Sequence, residues 1–180
     1  VQELVENGRK VGEIKMDAKV IRYSDSEDGE DLALLMIRKR NFVSASAKFY
    51  LLGDQITPIG TELFHVGSLL GQVGSNSMTR GIMSKVGRVL DLGSSGGVVF
   101  DQTTVTAFPG SSGGGVYFSD KSEEHSGKYV GMLVRGAGEG FNFIVPVRRM
   151  SDWADTVKVQ WALDDSVAAP SIEELLEQPI

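Results

Sequence analysis

At 180 residues, with 41% hydrophobic residues and a formal net charge of -6, the chain has the apolar content to bury a core as one domain or two closely fused halves, which excludes a disordered chain. The acidic balance excludes a phosphate-backbone binder, since such proteins gather Lys and Arg on one face, so no nucleic-acid partner is expected. The absence of cysteine excludes a disulfide framework, a thiol nucleophile and a cysteine-based zinc site, and leaves the compartment open, secretion included.

The start, Val1-Gln2-Glu3-Leu4, lacks the basic and apolar regions of a signal peptide, and no apolar run approaches the roughly 20 residues that span a bilayer, so a soluble chain without a membrane span is expected. Val11 to Val20 and Leu32 to Ile37 read as strands around the acidic stretch Ser24 to Glu30, a solvated hairpin loop. An EF-hand there fails, because aligning its glycine on Gly29 puts Leu35 where a bidentate Glu is needed. Further strands are predicted at Lys48–Leu52, Glu62–Val66, Gly81–Leu90, Gly97–Phe100, Gly115–Phe118, Tyr129–Arg135 and Phe141–Pro146, punctuated by Gly, Ser, Asn or Asp. The 22 glycines, well above the usual share of roughly 7%, belong to that all-β pattern. Beyond Pro146 the pattern changes: Arg148 to Trp161 suits a helix, Asp164 to Pro170 a linker, and Ser171-Ile172-Glu173-Glu174-Leu175-Leu176 a capped acidic helical turn.

The strongest chemical signal is Pro109-Gly110-Ser111-Ser112-Gly113-Gly114, between two strand-like segments. A serine hydroxyl is a weak nucleophile that needs a base, and its reaction needs backbone N–H donors converging on a developing oxyanion; a tight glycine loop presents both. Taken alone, the motif reads first as a flexible turn, because Gly-Ser-Ser-Gly-Gly also occurs at Gly93 to Gly97. Context decides between them: Asp31-Leu32-Ala33-Leu34-Leu35 upstream, Thr79-Arg80-Gly81-Ile82-Met83-Ser84 in the middle, then Gly110 to Gly114, Gly131-Met132-Leu133 and Phe143-Ile144-Val145-Pro146.

With this order of motifs the chain, from roughly Gly8 to Met150, resembles the trypsin-like serine peptidases of the chymotrypsin fold, and within them the HtrA/DegP-like branch. The resemblance implies an all-β fold of two antiparallel six-stranded barrels, the first incomplete here, plus a C-terminal helix. It divides the chain into a peptidase domain over 1–150 (1–58 the remainder of the first barrel, 59–150 the second), a helix over 151–163 and a tail or linker over 164–180. It implies Ser112 as nucleophile, the N–H groups of Gly110 and Ser112 as oxyanion hole, and Asp31 as the acid that orients the histidine. Thr106 falls near the floor of the specificity pocket and Val134, Arg135 and Gly136 along its wall, with Glu139 in the neighbouring loop, so uncharged side chains are expected there. Neutral Ser111 rules out the buried ion pair by which many secreted zymogen proteases activate, which suits the HtrA/DegP-like branch.

Neither histidine fits the base. His65, in Leu63-Phe64-His65-Val66-Gly67, reads as a strand histidine with a hydrogen-bond partner, and His125 as a solvated residue at a polar hairpin tip. Two histidines are too few for a catalytic zinc site, and neither metal nor cofactor is expected. The family's histidine precedes the aspartate, so the base is expected on an N-terminal segment missing from this sequence. The expected reaction is hydrolysis of protein or peptide substrates through an acyl-enzyme. The alternatives are a catalytically inactive binding module on the same fold and a structural protein whose Gly-Ser loops are mere turns.

Overall fold

The computed structural model describes residues 1–26, 30–37, 45–50, 56–91, 96–119, 124–136 and 138–179. The chain opens with an antiparallel hairpin of β1 (Gln2–Glu6) and β2 (Arg9–Ile14). Its turn is Asn7-Gly8, at φ 50° and 73°, the left-handed pair that a two-residue hairpin needs and that Asn and Gly adopt with least strain. A second two-stranded sheet pairs β3 (Ala18–Ser24) with β4 (Leu32–Ile37). The single strand expected over Val11–Val20 is therefore divided. The break falls at Lys15–Asp17, between Ile14 at the end of β2 and Ala18 at the start of β3.

Six further strands, β5 (Glu62–Leu69), β6 (Gly74–Asp91), β7 (Gly97–Thr103), β8 (Gly115–Phe118), β9 (Tyr129–Gly136) and β10 (Asn142–Pro146), close into a barrel in the order β10-β7-β6-β5-β8-β9. Every neighbouring pair is antiparallel. Leu63, Met83, Val105, Val116, Phe118, Val130, Leu133 and Ile144 fill its interior. Each such side chain taken fully out of water contributes about 1.5–3 kcal/mol, which fixes the register that the site inherits. Among the described residues this is the only closed barrel, where two were expected; β1–β2 and β3–β4 are separate two-stranded sheets. Of the expected Lys48–Leu52 strand, only an isolated bridge from Phe49 to Tyr129 is seen, while Leu51 and Leu52 lie outside the described residues.

Helix α1 (Val147–Thr156) leaves β10 directly at Pro146 and buries Val147, Arg149, Met150, Trp153 and Ala154. It ends earlier than the expected Trp161, because Lys158 turns left-handed at φ 62° and the chain resumes as a 3₁₀ turn over Gln160–Ala162. The last helix, α2 (Ile172–Glu177), starts on a complete capping box: the Ser171 hydroxyl accepts the Glu174 N–H at 3.1 Å, and the Glu174 carboxylate accepts the Ser171 N–H at 2.7 Å. At its other end the Lys19 ammonium donates to the carbonyls of Leu175, Leu176 and Gln178 at 2.9, 2.5 and 2.9 Å. The charge thus satisfies acceptors that a helix C-terminus leaves open and ties α2 to β3.

The contacts divide the chain into two compact units. One holds β1 to β4 and the segment from Ala169, and the other holds the Ser24–Leu32 connection and Ala47–Ala168. No helix among the described residues is long and apolar enough to cross a membrane.

Candidate functional site

The loop from Thr104 to Gly114 carries the glycine-serine motif from β7 to β8, inside the barrel unit. Its first half is anchored by side chains: the Asn142 amide donates to the Val105 carbonyl at 2.7 Å, and the Thr79 hydroxyl to the Thr106 carbonyl at 2.9 Å. Ser111 is buried. Its hydroxyl accepts the Phe108 N–H at 3.1 Å while its own N–H donates to the Phe108 carbonyl at 2.9 Å, closing the turn on itself. Gly113 donates to the Leu133 carbonyl at 2.7 Å and Leu133 donates back to Gly114 at 2.9 Å, which locks the end of the loop to β9.

These bonds set the directions of two peptide groups. The Pro109 carbonyl accepts the Leu70 N–H at 2.9 Å, and the Ser111 carbonyl accepts the Gly114 N–H at 3.0 Å. Among the described residues no peptide bond is cis, and a trans peptide opposes its C=O and N–H, so the Gly110 and Ser112 N–H groups are directed away from those inward contacts. The turn that does this holds Gly110 at φ 94° and packs it so closely that a side chain there would start 2.6 Å from the Ser68 carbonyl oxygen and 2.7 Å from the Gly71 nitrogen. Only glycine meets both conditions.

Ser112 is exposed, and its hydroxyl donates to the Val134 carbonyl at 3.3 Å. It lines a cavity of about 520 Å³ with Thr106, Val134, Arg135, Gly136 and Asn142, and Glu139 lines it too. The structure thus brings Ser112 together with all four expected pocket residues. Asp31 is not among the lining residues. It sits at φ 56° immediately before β4, half-buried, with its N–H donated to the Asp25 carbonyl at 3.1 Å; among the described residues its carboxylate makes no hydrogen bond or ion pair. The turn that carries it is nonetheless fixed to the barrel unit. Arg149 donates to the Glu30 carboxylate at 2.8 Å and the Glu30 carbonyl at 3.0 Å, and Arg135 to the Ser26 carbonyl at 3.2 Å. Gly93, Ser94 and Ser95 of the competing glycine-serine motif lie outside the described residues.

Both histidines depart from expectation. His65 is on a strand, β5, and is 0% exposed; among the described residues neither Nδ1 nor Nε2 has a hydrogen-bond partner. Burial pushes its pKa below the ordinary imidazole value, and the facing Ser111 carbonyl offsets part of that without completing a bond to either nitrogen. His125 lies between β8 and β9 as expected, but it is half-buried, with Nε2 shielded from solvent. Phe118 and Tyr50 offer aromatic faces, and its ring packs on them at centroid distances of 5.4 and 5.2 Å, with the Glu124 carboxylate 3.7 Å from Nε2. Neither ring approaches the Ser112 hydroxyl within hydrogen-bond reach, and among the described residues no group of three or more His, Asp or Glu is placed to hold a metal. The reading from sequence passed over the Ser111 hydroxyl and Asn142, although a lone amide inside the apolar run Phe141 to Pro146 is itself a sign of a polar task.

The closed antiparallel barrel thus presents a serine on a glycine turn beside a side-chain pocket. The family model of the trypsin-like peptidase domain matches residues 3–132, more than half of the chain, and the chain belongs to that family. The match takes in Asp31 and Ser112 and ends before the Val134–Gly136 wall. No curated protein matches the sequence.

Proposed function

We propose that this chain carries the nucleophilic half of a serine endopeptidase of the HtrA/DegP-like branch, which hydrolyses protein or peptide substrates through an acyl-enzyme on Ser112. The observation that supports it is the paired inward turn of the Pro109 and Ser111 carbonyls, which leaves the N–H groups of Gly110 and Ser112 to receive an oxyanion next to the Ser112 hydroxyl. Asp31 orients the base. That base is a histidine outside these 180 residues, since His65 is walled in and His125 is stacked among aromatic rings. In this reading the two sheets β1–β2 and β3–β4 belong to a first barrel of the same family. Thr106 and the Val134–Gly136 wall select an uncharged side chain, because Thr106 is neutral and Arg135 is committed to the Ser26 carbonyl, which leaves Glu139 in the adjoining loop as the one carboxylate among the lining residues. A strong preference for Arg or Lys before the scissile bond in a peptide library contradicts that specificity.

The decisive experiment applies a serine-directed fluorophosphonate to the intact source protein. Labelling at Ser112 is expected, with Ser112→Ala abolishing it and lowering kcat by at least about 10³-fold. Labelling that persists in Ser112→Ala overturns the assignment. The alternative, an inactive binding module, is favoured by one observation: the Ser112 hydroxyl is engaged by a carbonyl and not by a base. An intact protein that binds peptides, resists the probe and has no further histidine supports that alternative.

A further inference from the structure

His65 stands directly behind the nucleophile loop. It lies on β5 opposite Thr79 of β6 and Val116 of β8, in an interior otherwise lined by residues such as Leu63 and Val116. A neutral imidazole carries one N–H and one bare nitrogen, and burying both without partners incurs the full desolvation penalty of each. An apolar residue avoids that penalty, so the ring's surroundings bear on what it does. A side chain on Gly114 would begin 2.3 Å from Nε2 and 2.9 Å from the Ser111 carbonyl oxygen, and one on Gly67 would begin 2.7 Å from Nε2 and 3.5 Å from the same oxygen. Nε2 and the Ser111 oxygen therefore share the small space that two glycines leave vacant. The Ser111 carbonyl already accepts the Gly114 N–H at 3.0 Å and has a second lone pair free for another donor.

We propose that His65 is a positioning residue for the nucleophile loop, its Nε2–H serving as second donor to the Ser111 carbonyl and so holding the Ser111–Ser112 peptide with its N–H toward the substrate. The proposal rests on Ser112 being the nucleophile. Its mechanical basis is that the same planar peptide carries the inward carbonyl and the outward N–H, so swinging the carbonyl away from His65 withdraws an oxyanion donor. That peptide turns by paired changes in ψ of Ser111 and φ of Ser112, the two residues held between Gly110 at φ 94° and Gly113 at φ 86°. A donor behind the carbonyl restrains the flip without touching the substrate. Burial supports the role by keeping the ring neutral, with a single proton to place.

The test begins on the unmodified full chain, labelled with ¹⁵N-histidine, where long-range ¹H–¹⁵N correlations read the tautomer of each ring. His65 is expected as the neutral Nε2–H form, and the Nδ1–H form overturns the proposal without any variant having to fold. Next, His65→Met removes the donor at similar volume and His65→Gln returns a donor near Nε2. In the intact protein His65→Met should lower kcat about 10-fold or more with KM within about twofold, a fraction of the loss from deleting an oxyanion donor outright, and shift the Ser112 amide resonance; His65→Gln should restore both. A folded His65→Met protein with unchanged kcat and an unmoved Ser112 amide makes His65 a packing residue only. If the intact parent fails to react with the serine-directed probe, the peptidase reading has failed, while the tautomer and the Ser112 amide still decide whether the His65–Ser111 hydrogen bond exists.

Discussion

Gly110 and Gly113 both hold positive φ in the glycine-serine loop, yet only Gly110 is also crowded by backbone, and the difference separates conformational strain from packing. Gly113→Ala adds a methyl group to open space, so its cost is the left-handed penalty of about 1–2 kcal/mol. Gly110→Ala meets the same penalty and drives its methyl into Ser68 and Gly71 backbone atoms that have no side-chain freedom to yield, adding about 1–3 kcal/mol of overpacking. Urea denaturation of the two variants should therefore rank Gly110→Ala clearly below Gly113→Ala, and equal midpoints refute the packing argument. His65 makes a second residue-scale prediction. Its folded pKa lies below the unfolded value of 6.5, so above pH 6.5 both states are neutral and no stability is lost. As pH falls below 6.5, the unfolded chain takes a proton that the buried ring refuses, and stability declines until the folded pKa is reached, at a slope of at most about 1.4 kcal/mol per pH unit. Unfolding midpoints compared between pH 7.5 and 5 should show this slope in the parent and a flatter one in His65→Met. What local motifs made legible is placement: Ser112 lies beside Thr106 and Val134–Gly136, on a turn that needs Gly110. It was illegible at His65, because a buried ring's partners are set by which glycines face it across the barrel, and neither Gly114 nor Ser111 is near it in sequence.

Between elements, the strongest polar link is the joint of β7 with α1. Asp101, only 2% exposed, accepts Arg148 at 2.7 and 2.5 Å and the Gly87 N–H of β6 at 2.9 Å, so one carboxylate gathers two strands and the helix that follows the barrel. Arg148→Met leaves that carboxylate buried with one donor. The expected loss is about 3 kcal/mol, the lower end for a broken buried pair because the Arg148 side chain is 34% exposed. By contrast Lys10→Met, in the exposed network with Glu3 and Glu13, should leave the unfolding midpoint unmoved. Comparable losses for the two substitutions contradict this ranking. Strand periodicity foretold β5, β8 and β9 closely, since Leu63, Val116 and Leu133 sit at alternating positions in short apolar runs. It missed the first half of β6, where Ser75-Asn76-Ser77 looks polar but continues the ladder to β5, and it missed β1 entirely, although Asn7-Gly8 is a strong hairpin signal. The capping box of α2 was legible because both partners lie within four residues; the Lys19 contact that ties it to β3 was not, since it spans 156 residues.

At the scale of the molecule, burial is unevenly distributed. The β1–β2 hairpin has no buried residue, and Val5 and Val11 stand 61% and 54% exposed, whereas Leu63, Val116 and Ile144 of the barrel are each at 0%. An isolated two-stranded hairpin is marginal in water, while amides in a closed barrel open only with the whole unit, at a free energy of about 5–15 kcal/mol. Native-state hydrogen exchange should therefore fall into two tiers, with β1–β2 amides exchanging at least about 10³-fold faster than those of Leu63, Val116 and Ile144. The tier of the glycine-serine loop bears on the proposed function. Loops usually belong to the fast class, but Gly113 and Gly114 donate to the Leu133 and Ser111 carbonyls at 2.7 and 3.0 Å, and the first of these bonds makes the loop an extension of β9. Preorganised oxyanion donors contribute to catalysis only if they are already fixed before substrate arrives, so the Gly113 and Gly114 amides should exchange with the barrel and not with the hairpin. Slow exchange at Gly113 and Gly114 beside fast exchange at Val5 and Val11 fits a rigid platform that carries Ser112. Fast exchange at all four places the loop among the mobile segments and removes the structural basis for a preformed oxyanion site.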